Sequence, residues 1–198
     1  MPIAKNEGIV MHVDDKGAAY HIRVLSNLNS GIDGVLLIGQ QRSQLFCNVS
    51  LGENKKTAIA VVDKSLIKDG IAQFTLFDKE GLPICERIVF VHEQAKSNTK
   101  LALSGLKKDY GKRERVDLAL TIKDSLEQTM LSNLSISITD NVVIERGTYE
   151  NHIISQLLLC SDIKGEIEHP GYYFENSNNQ RKKDVDILMM TQGWRRFT

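Results

Sequence analysis

The sequence predicts a mainly β protein: an antiparallel β-sandwich over about residues 1–95, then a smaller β unit over about residues 96–198 that two helices complete. Three observations carry that expectation. Apolar and polar residues alternate in run after run from Gly8 to Val91, the period-2 signature of half-buried strands. Clusters of Gly, Asn and Asp separate those runs at intervals of roughly 8 to 12 residues, the spacing of sandwich strands. Beyond Asn151 the apolar residues recur at helical spacing instead.

Ile9, Met11 and Val13 alternate with Val10, His12 and Asp14, and Asp15-Lys16-Gly17 closes the run as a turn. Ala19–Leu25 is the second run, ended by Asn27-Leu28-Asn29-Ser30-Gly31. Val35–Ile38 is short and continuously apolar, and Leu45, Cys47, Val49 and Leu51 then alternate with Phe46, Asn48 and Ser50. Thr57–Val62, Ile71–Phe77 and Pro83–Val91 bring the runs to seven. Between the last two, Asp78-Lys79-Glu80-Gly81 suits a type I turn followed by a left-handed glycine. Ile84, Glu86, Ile88 and Phe90 share one face of the final strand, with Cys85, Arg87, Val89 and Val91 on the other. Glu86 and Arg87 therefore point opposite ways, and whichever is partly buried needs a partner of its own.

The polar stretch Gln94–Thr99 marks a boundary. Past it Leu101 and Leu103 alternate, Tyr110-Gly111 makes a turn, and Val116, Leu118, Leu120 and Ile122 alternate with polar neighbours. Leu134, Ile136 and Ile138 form one more run. These are too few strands for a second complete sandwich. Ile153, Ile154, Leu157 and Leu158 then fall on one helical face, with Thr148 or Asn151 as N-cap and Gly165 near the end. Val185, Leu188 and Met189 form a second helical face, with Asp184 at the cap and Gly193 as terminator. The expectation is that both helices close the core which the second set of strands leaves open.

Composition narrows the function. Lys+Arg and Asp+Glu balance at 25 each, so no net field draws nucleic acid or an anionic membrane. No run reaches the roughly 18 to 20 apolar residues that span a bilayer, and the opening MPIAKNEGIV has no apolar signal-peptide core. Cys47, Cys85 and Cys160 lack CxxC spacing and read as small buried apolar residues. Gly105 to Lys112 superficially resembles a phosphate loop, yet its glycine spacing is one residue too long and Arg113 stands where Ser or Thr would bind magnesium. No HExxH or GxSxG occurs, and only His12 and His21, if they face each other on adjacent strands, offer the start of a metal site. The reading is a protein with no catalytic residues, no cofactor and no metal.

Two clusters near the end stand out as a candidate interaction surface. Tyr172 and Tyr173 follow Pro170-Gly171 in an aromatic run, and Arg195 and Arg196 lie between Trp194 and Phe197. Trp and Arg dominate binding hot spots, whereas the adjacent Leu188-Met189-Met190 favours packing for Trp194 and Phe197. Exposed, coplanar tyrosines would instead suit a sugar, the alternative of a carbohydrate-binding accessory domain. So apolar an ending also leads to the expectation that the chain is cut from a larger protein, in which case an absent signal peptide says nothing of compartment.

The segment DGIAQFTLFDKEGLPICERIVFV resembles the closing strands of macroglobulin-like, Ig-like β-sandwich domains in large extracytoplasmic bacterial proteins. The tail SDIKGEIEHPGYYFE with DILMMTQGWRRF resembles a signature of Bacteroidetes cell-envelope proteins, where it lies between macroglobulin-like domains and the plug and barrel of TonB-dependent receptor-like proteins. That resemblance spans the chain from about Val35 onward. It implies a non-catalytic binding or spacer module at the periplasmic face of the outer membrane. Its partners would be an envelope protein or polypeptide and the plug and barrel of its own polypeptide, with membrane contact only through those further parts. The thioester-type Cys-Gly-Glu-Gln of complement-like relatives is missing from this sequence, so covalent trapping is not implied.

Overall fold

The structure is a computed structural model and describes residues 5–52, 55–92, 99–136, 138, 147–175 and 180–192. Every alternating run of the first half becomes a strand: β1 (Ile9–Asp15), β2 (Ala19–Ser26), β3 (Leu36–Gln41), β4 (Gln44–Ser50), β5 (Thr57–Asp63), β6 (Gly70–Phe77) and β7 (Pro83–Val91). They form two antiparallel sheets, ordered β1-β2-β5 and β4-β3-β6-β7. The fold is mainly β, as the alternation predicts. Tyr20, Ile22, Val24 and Val62 of one sheet meet Leu37, Phe74, Leu76 and Val89 of the other in a single core. Phe74 lies at its centre, edge-to-face with Tyr20 at 5.9 Å and with Phe46 at 5.6 Å, an arrangement that adds to simple burial.

Phe46 is a departure from strict alternation. The β3–β4 register shifts between Gly39 and Gln40, so Phe46 turns inward beside Cys47 while Leu45 is left exposed. Gly39 makes this possible: a Cβ there would stand 2.4 Å from the Phe46 ring. A bulge opposite a glycine thus admits an aromatic that plain pleating would send outward. The hairpin between these strands turns at Arg42 and Ser43, with φ of 45° and 66°. Arg42 is held there by its guanidinium, which bonds Asp162 Oδ2 at 3.1 Å.

β6 is withdrawn from solvent on both faces. Its inner side chains belong to the sandwich, and on its outer face Ile71, with Ile88 of β7, packs against Leu159, Ile167, Val185 and Met189. Leu159 caps the C-terminus of α1 (Ile153–Leu158), Val185 and Met189 belong to α2 (Arg181–Gln192), and Ile167 lies in the chain between the helices. The helices therefore close the outer face of the sandwich's own four-stranded sheet; the sequence reading assigned them to the later strands. The physical reason lies in β6 itself, since GIAQFTLF is almost continuously apolar, the pattern of a strand covered on two sides.

The α1 surface also differs from the periodic reading. Ser155 and Leu159 are buried, whereas Ile153, Ile154 and Leu157 are exposed. The N-cap is His152, not Thr148 or Asn151: its ring accepts the Ser155 N–H while the Ser155 hydroxyl oxygen accepts the His152 N–H. That capping box turns Ser155 toward the sheet. In α2, Val185 and Met189 are buried and Leu188 half-buried as the periodicity predicts. The helix starts at Arg181, so Asp184 falls in its first turn instead of at its cap, still a favourable place for an acid. Arg87 reaches α2 and bonds Asp186 at 2.6 Å, while Glu86 accepts from Gln73; each of the two oppositely pointing charges has its own partner.

By internal contacts the chain divides into two compact units, one of Met1–His92 with Arg146–Thr198, the other of Glu93–Glu145. The second unit contains β8 (Lys100–Ser104) paired antiparallel with β9 (Ala119–Lys123). Leu134, Ile136 and Ile138, the remaining predicted strand, enter no strand among the described residues, and all three side chains are exposed.

Candidate interaction surface

The aromatic run is set by local geometry. His169 takes a left-handed φ of 49° and Pro170 follows at the first position of a short 3-10 turn. Gly171 docks by donating its N–H to the Tyr149 carbonyl at 3.0 Å, and a Cβ on it would lie 2.5 Å from the Glu150 carbonyl oxygen. This close approach requires glycine. It places Tyr172 so that its hydroxyl donates to Asp184 Oδ2 at 2.6 Å, tying the turn to α2.

Tyr172 and Tyr173 are both half-buried. Their rings are inclined at 77° to each other, and Tyr172 meets Tyr149 at 82°. Rings this nearly perpendicular make no flat platform for a sugar. Tyr173 packs with the helix–sheet cluster, and burial, with Asp184 and Glu168 nearby, raises its phenol above the ordinary value. Phe174 meets Phe90 at 5.7 Å, His92 at 5.1 Å and His152 at 5.3 Å. This aromatic run acts as a staple between the turn, α2 and the sheet. Arg195 and Arg196, with Trp194 and Phe197, lie outside the described residues.

His12 and His21 do not face each other: His12 stands opposite Arg23, and His21 opposite Asp14. Asp14 accepts from both His12 at 2.9 Å and Arg23 at 3.1 Å, forming a surface charge cluster. Among the described residues no three His, Cys, Asp or Glu side chains gather in a manner that could hold a metal ion. The three cysteines are free and half-buried. Burial pushes the Cys85 thiol up to about 11 and raises Cys47 and Cys160 as well, the direction of an inert thiol.

The second unit offers a different kind of surface. Leu101 stands opposite Ile122, and Leu103 opposite Leu120, so four apolar side chains share one face of the β8–β9 ribbon. None of the described residues of this unit is buried. The outer edge of β9 is engaged at one end, because Met130 N–H donates to the Ile122 carbonyl and Asp124 N–H to that of Gln128. The Ile122 main-chain groups therefore point away from β8. Along an antiparallel strand these groups alternate in direction, and facing residues share one pattern. Leu101 and Leu103 consequently direct their N–H and C=O groups to the other edge of β8, which pairs with no strand among the described residues, while Lys100, Ala102 and Ser104 bond to β9. Sequence reasoning had these leucines on a strand; what it missed was the edge, for which the shortage of partner strands was the available signal.

Comparison with protein-family models and with curated proteins returns no match.

Proposed function

We propose that this chain is a non-catalytic, extracytoplasmic binding or spacer module of a larger cell-envelope protein, of the TonB-dependent receptor-like kind found in Bacteroidetes. It stands at the periplasmic face of the outer membrane and takes polypeptide partners by strand addition. One observation carries the binding part: an apolar-faced two-stranded ribbon whose exposed β8 leucines direct main-chain donors and acceptors to an edge unpaired among the described residues. Such an edge is a template for another strand, with main-chain bonds supplying affinity and alternate side chains supplying selectivity. The likeness of the tail segments to envelope-protein sequences supports the location and the company of a plug and barrel.

A synthetic peptide of alternating Val and Thr, titrated into the purified chain, tests the binding reading. The amides of Leu101 and Leu103 are expected to shift in heteronuclear spectra and to gain protection from exchange, with little change in β1 to β7. Unchanged edge amides at millimolar peptide would remove strand addition from the proposal. Finding the protein in the cytosolic fraction of its native host would remove the envelope setting.

A further inference from the structure

We infer that the free edge of β8 pairs with β8 of a second copy of this chain, antiparallel, about a two-fold axis through Ala102. This rests on the reading of that edge as a strand acceptor and names its occupant. The strand is KLALS, and rotation about Ala102 places Leu101 opposite the second copy's Leu103, and Leu103 opposite its Leu101. Both leucines direct their main-chain groups to this edge, so two reciprocal pairs close four N–H···O=C bonds and leave no edge donor idle. An axis through Leu101 would set Leu103 against Thr99, and one through Leu103 would set Leu101 against Gly105, whose φ of 89° takes the chain out of the strand. Only the Ala102 axis uses both leucines.

Side chains fit the same register. Leucines meet leucines across the new pair on the face already formed with Leu120 and Ile122. On the other face Ala102 meets Ala102, and Lys100 meets Ser104. Lys100 is the only charge on the strand, and its ammonium already binds Glu127, so no like charges oppose one another, the arrangement that disfavours strand pairing. The outer edge of β9 is a poorer site, because the return at Thr129 and Met130 occupies it at Lys123. The product is a four-stranded sheet, β9-β8-β8-β9, with an isologous interface. Strands this short bury less than a standard interface, so self-association is expected to be weak.

Sedimentation velocity across a concentration series, with cysteine cross-linking, tests this in the intact chain. Ala102→Cys should give a disulfide-linked dimer under mild oxidation well above the wild-type background, because the two Cβ atoms face each other across a non-hydrogen-bonded pair. Ser104→Cys, which would stand opposite Lys100, should not. Leu103→Pro removes an edge donor without touching the β8–β9 ladder, since that N–H points outward, and should weaken self-association at least tenfold. Leu103→Lys serves the same purpose should the proline variant fold poorly. A chain that stays monomeric throughout with no Ala102→Cys dimer overturns the inference, as does equal cross-linking of the two cysteine variants. If the Val/Thr peptide still protects Leu101 and Leu103 in that case, a foreign strand is the occupant and the binding reading survives; if neither occurs, both fail.

Discussion

In the sandwich, Ile22, Val24, Leu37 and Phe74 are wholly withdrawn from solvent, whereas Leu101 and Leu103, on an equally regular alternation, are 62% and 49% exposed. The two regions differ in what their faces meet. Sheets of three and four strands cover each other, and the outer face of β6 and β7 gains a third layer from the helices. The β8–β9 ribbon has two strands and a face without such a layer among the described residues. Alternation decides which side chains share a face; the number of strands and the presence of a facing layer decide whether that face leaves water. Two strands alone are marginal, so the ribbon's order depends on partners in a way the sandwich's does not.

The contrast is broken most severely at Phe74. Replacing it with alanine removes the ring on which Tyr20 and Phe46 both rest, and buried Phe→Ala changes cost about 3 to 5 kcal/mol. Chemical denaturation followed by a probe in the sandwich should record that loss. Amide exchange at Ala102 and Ser104, whose N–H groups bond to β9, should be unaltered, because the two regions divide into separate compact units. Equal loosening of both would mean that the ribbon draws its order from the sandwich core.

All seven sandwich strands were legible because most runs alternate every two residues, the Val35–Ile38 and Ile71–Phe77 runs are short and largely apolar, and turn residues separate the runs. What was not legible depended on neighbours far along the chain. The inward turn of Phe46 depends on Gly39 across the hairpin, a relation that no local period contains. The burial of Ser155 and Leu159 in place of Ile153 and Ile154 follows from the His152 cap and the sheet beneath. Of the candidate surface residues, Tyr172 and Tyr173 were conspicuous by type, but their inclined rings and the bond to Asp184 are tertiary facts. The unpaired edge of β8 was signalled only indirectly, by the shortage of partner strands, because an edge is a property of strand order, which one strand's sequence does not carry.

The helices give the next test, because they decide which region owns the C-terminal third. Met189 is fully buried in the cluster with Ile71 and Ile88. Met189→Ala should destabilise the sandwich transition by about 2 to 3 kcal/mol, the lower part of the range for such truncations, since a flexible side chain leaves a site that can partly collapse. Tryptic cleavage should rise at Lys164, between the helices, and at Arg181, Lys182 and Lys183 of α2. A variant that kept the sandwich transition while loosening residues 100–123 would return the helices to the ribbon, contrary to the packing on β6 and β7.

Leu103→Ala is the smallest expected effect and the sharpest measure of the difference. At concentrations where the chain is monomeric, the side chain is half in water before unfolding as well as after it, so its truncation forfeits only a fraction of the burial energy that an interior leucine contributes. The expected loss is within about 0.5 kcal/mol, the range of surface substitutions, against about 2 to 5 kcal/mol for a leucine in a packed core. Denaturant titrations of dilute wild type and variant, with a fluorophore on the ribbon, would measure it. A loss of core size would show that this face is already covered in the monomer, and the ribbon would cease to be an open edge. Repeating the titration at rising protein concentration should then separate the two curves, because the leucine gains its partner only when a second strand arrives.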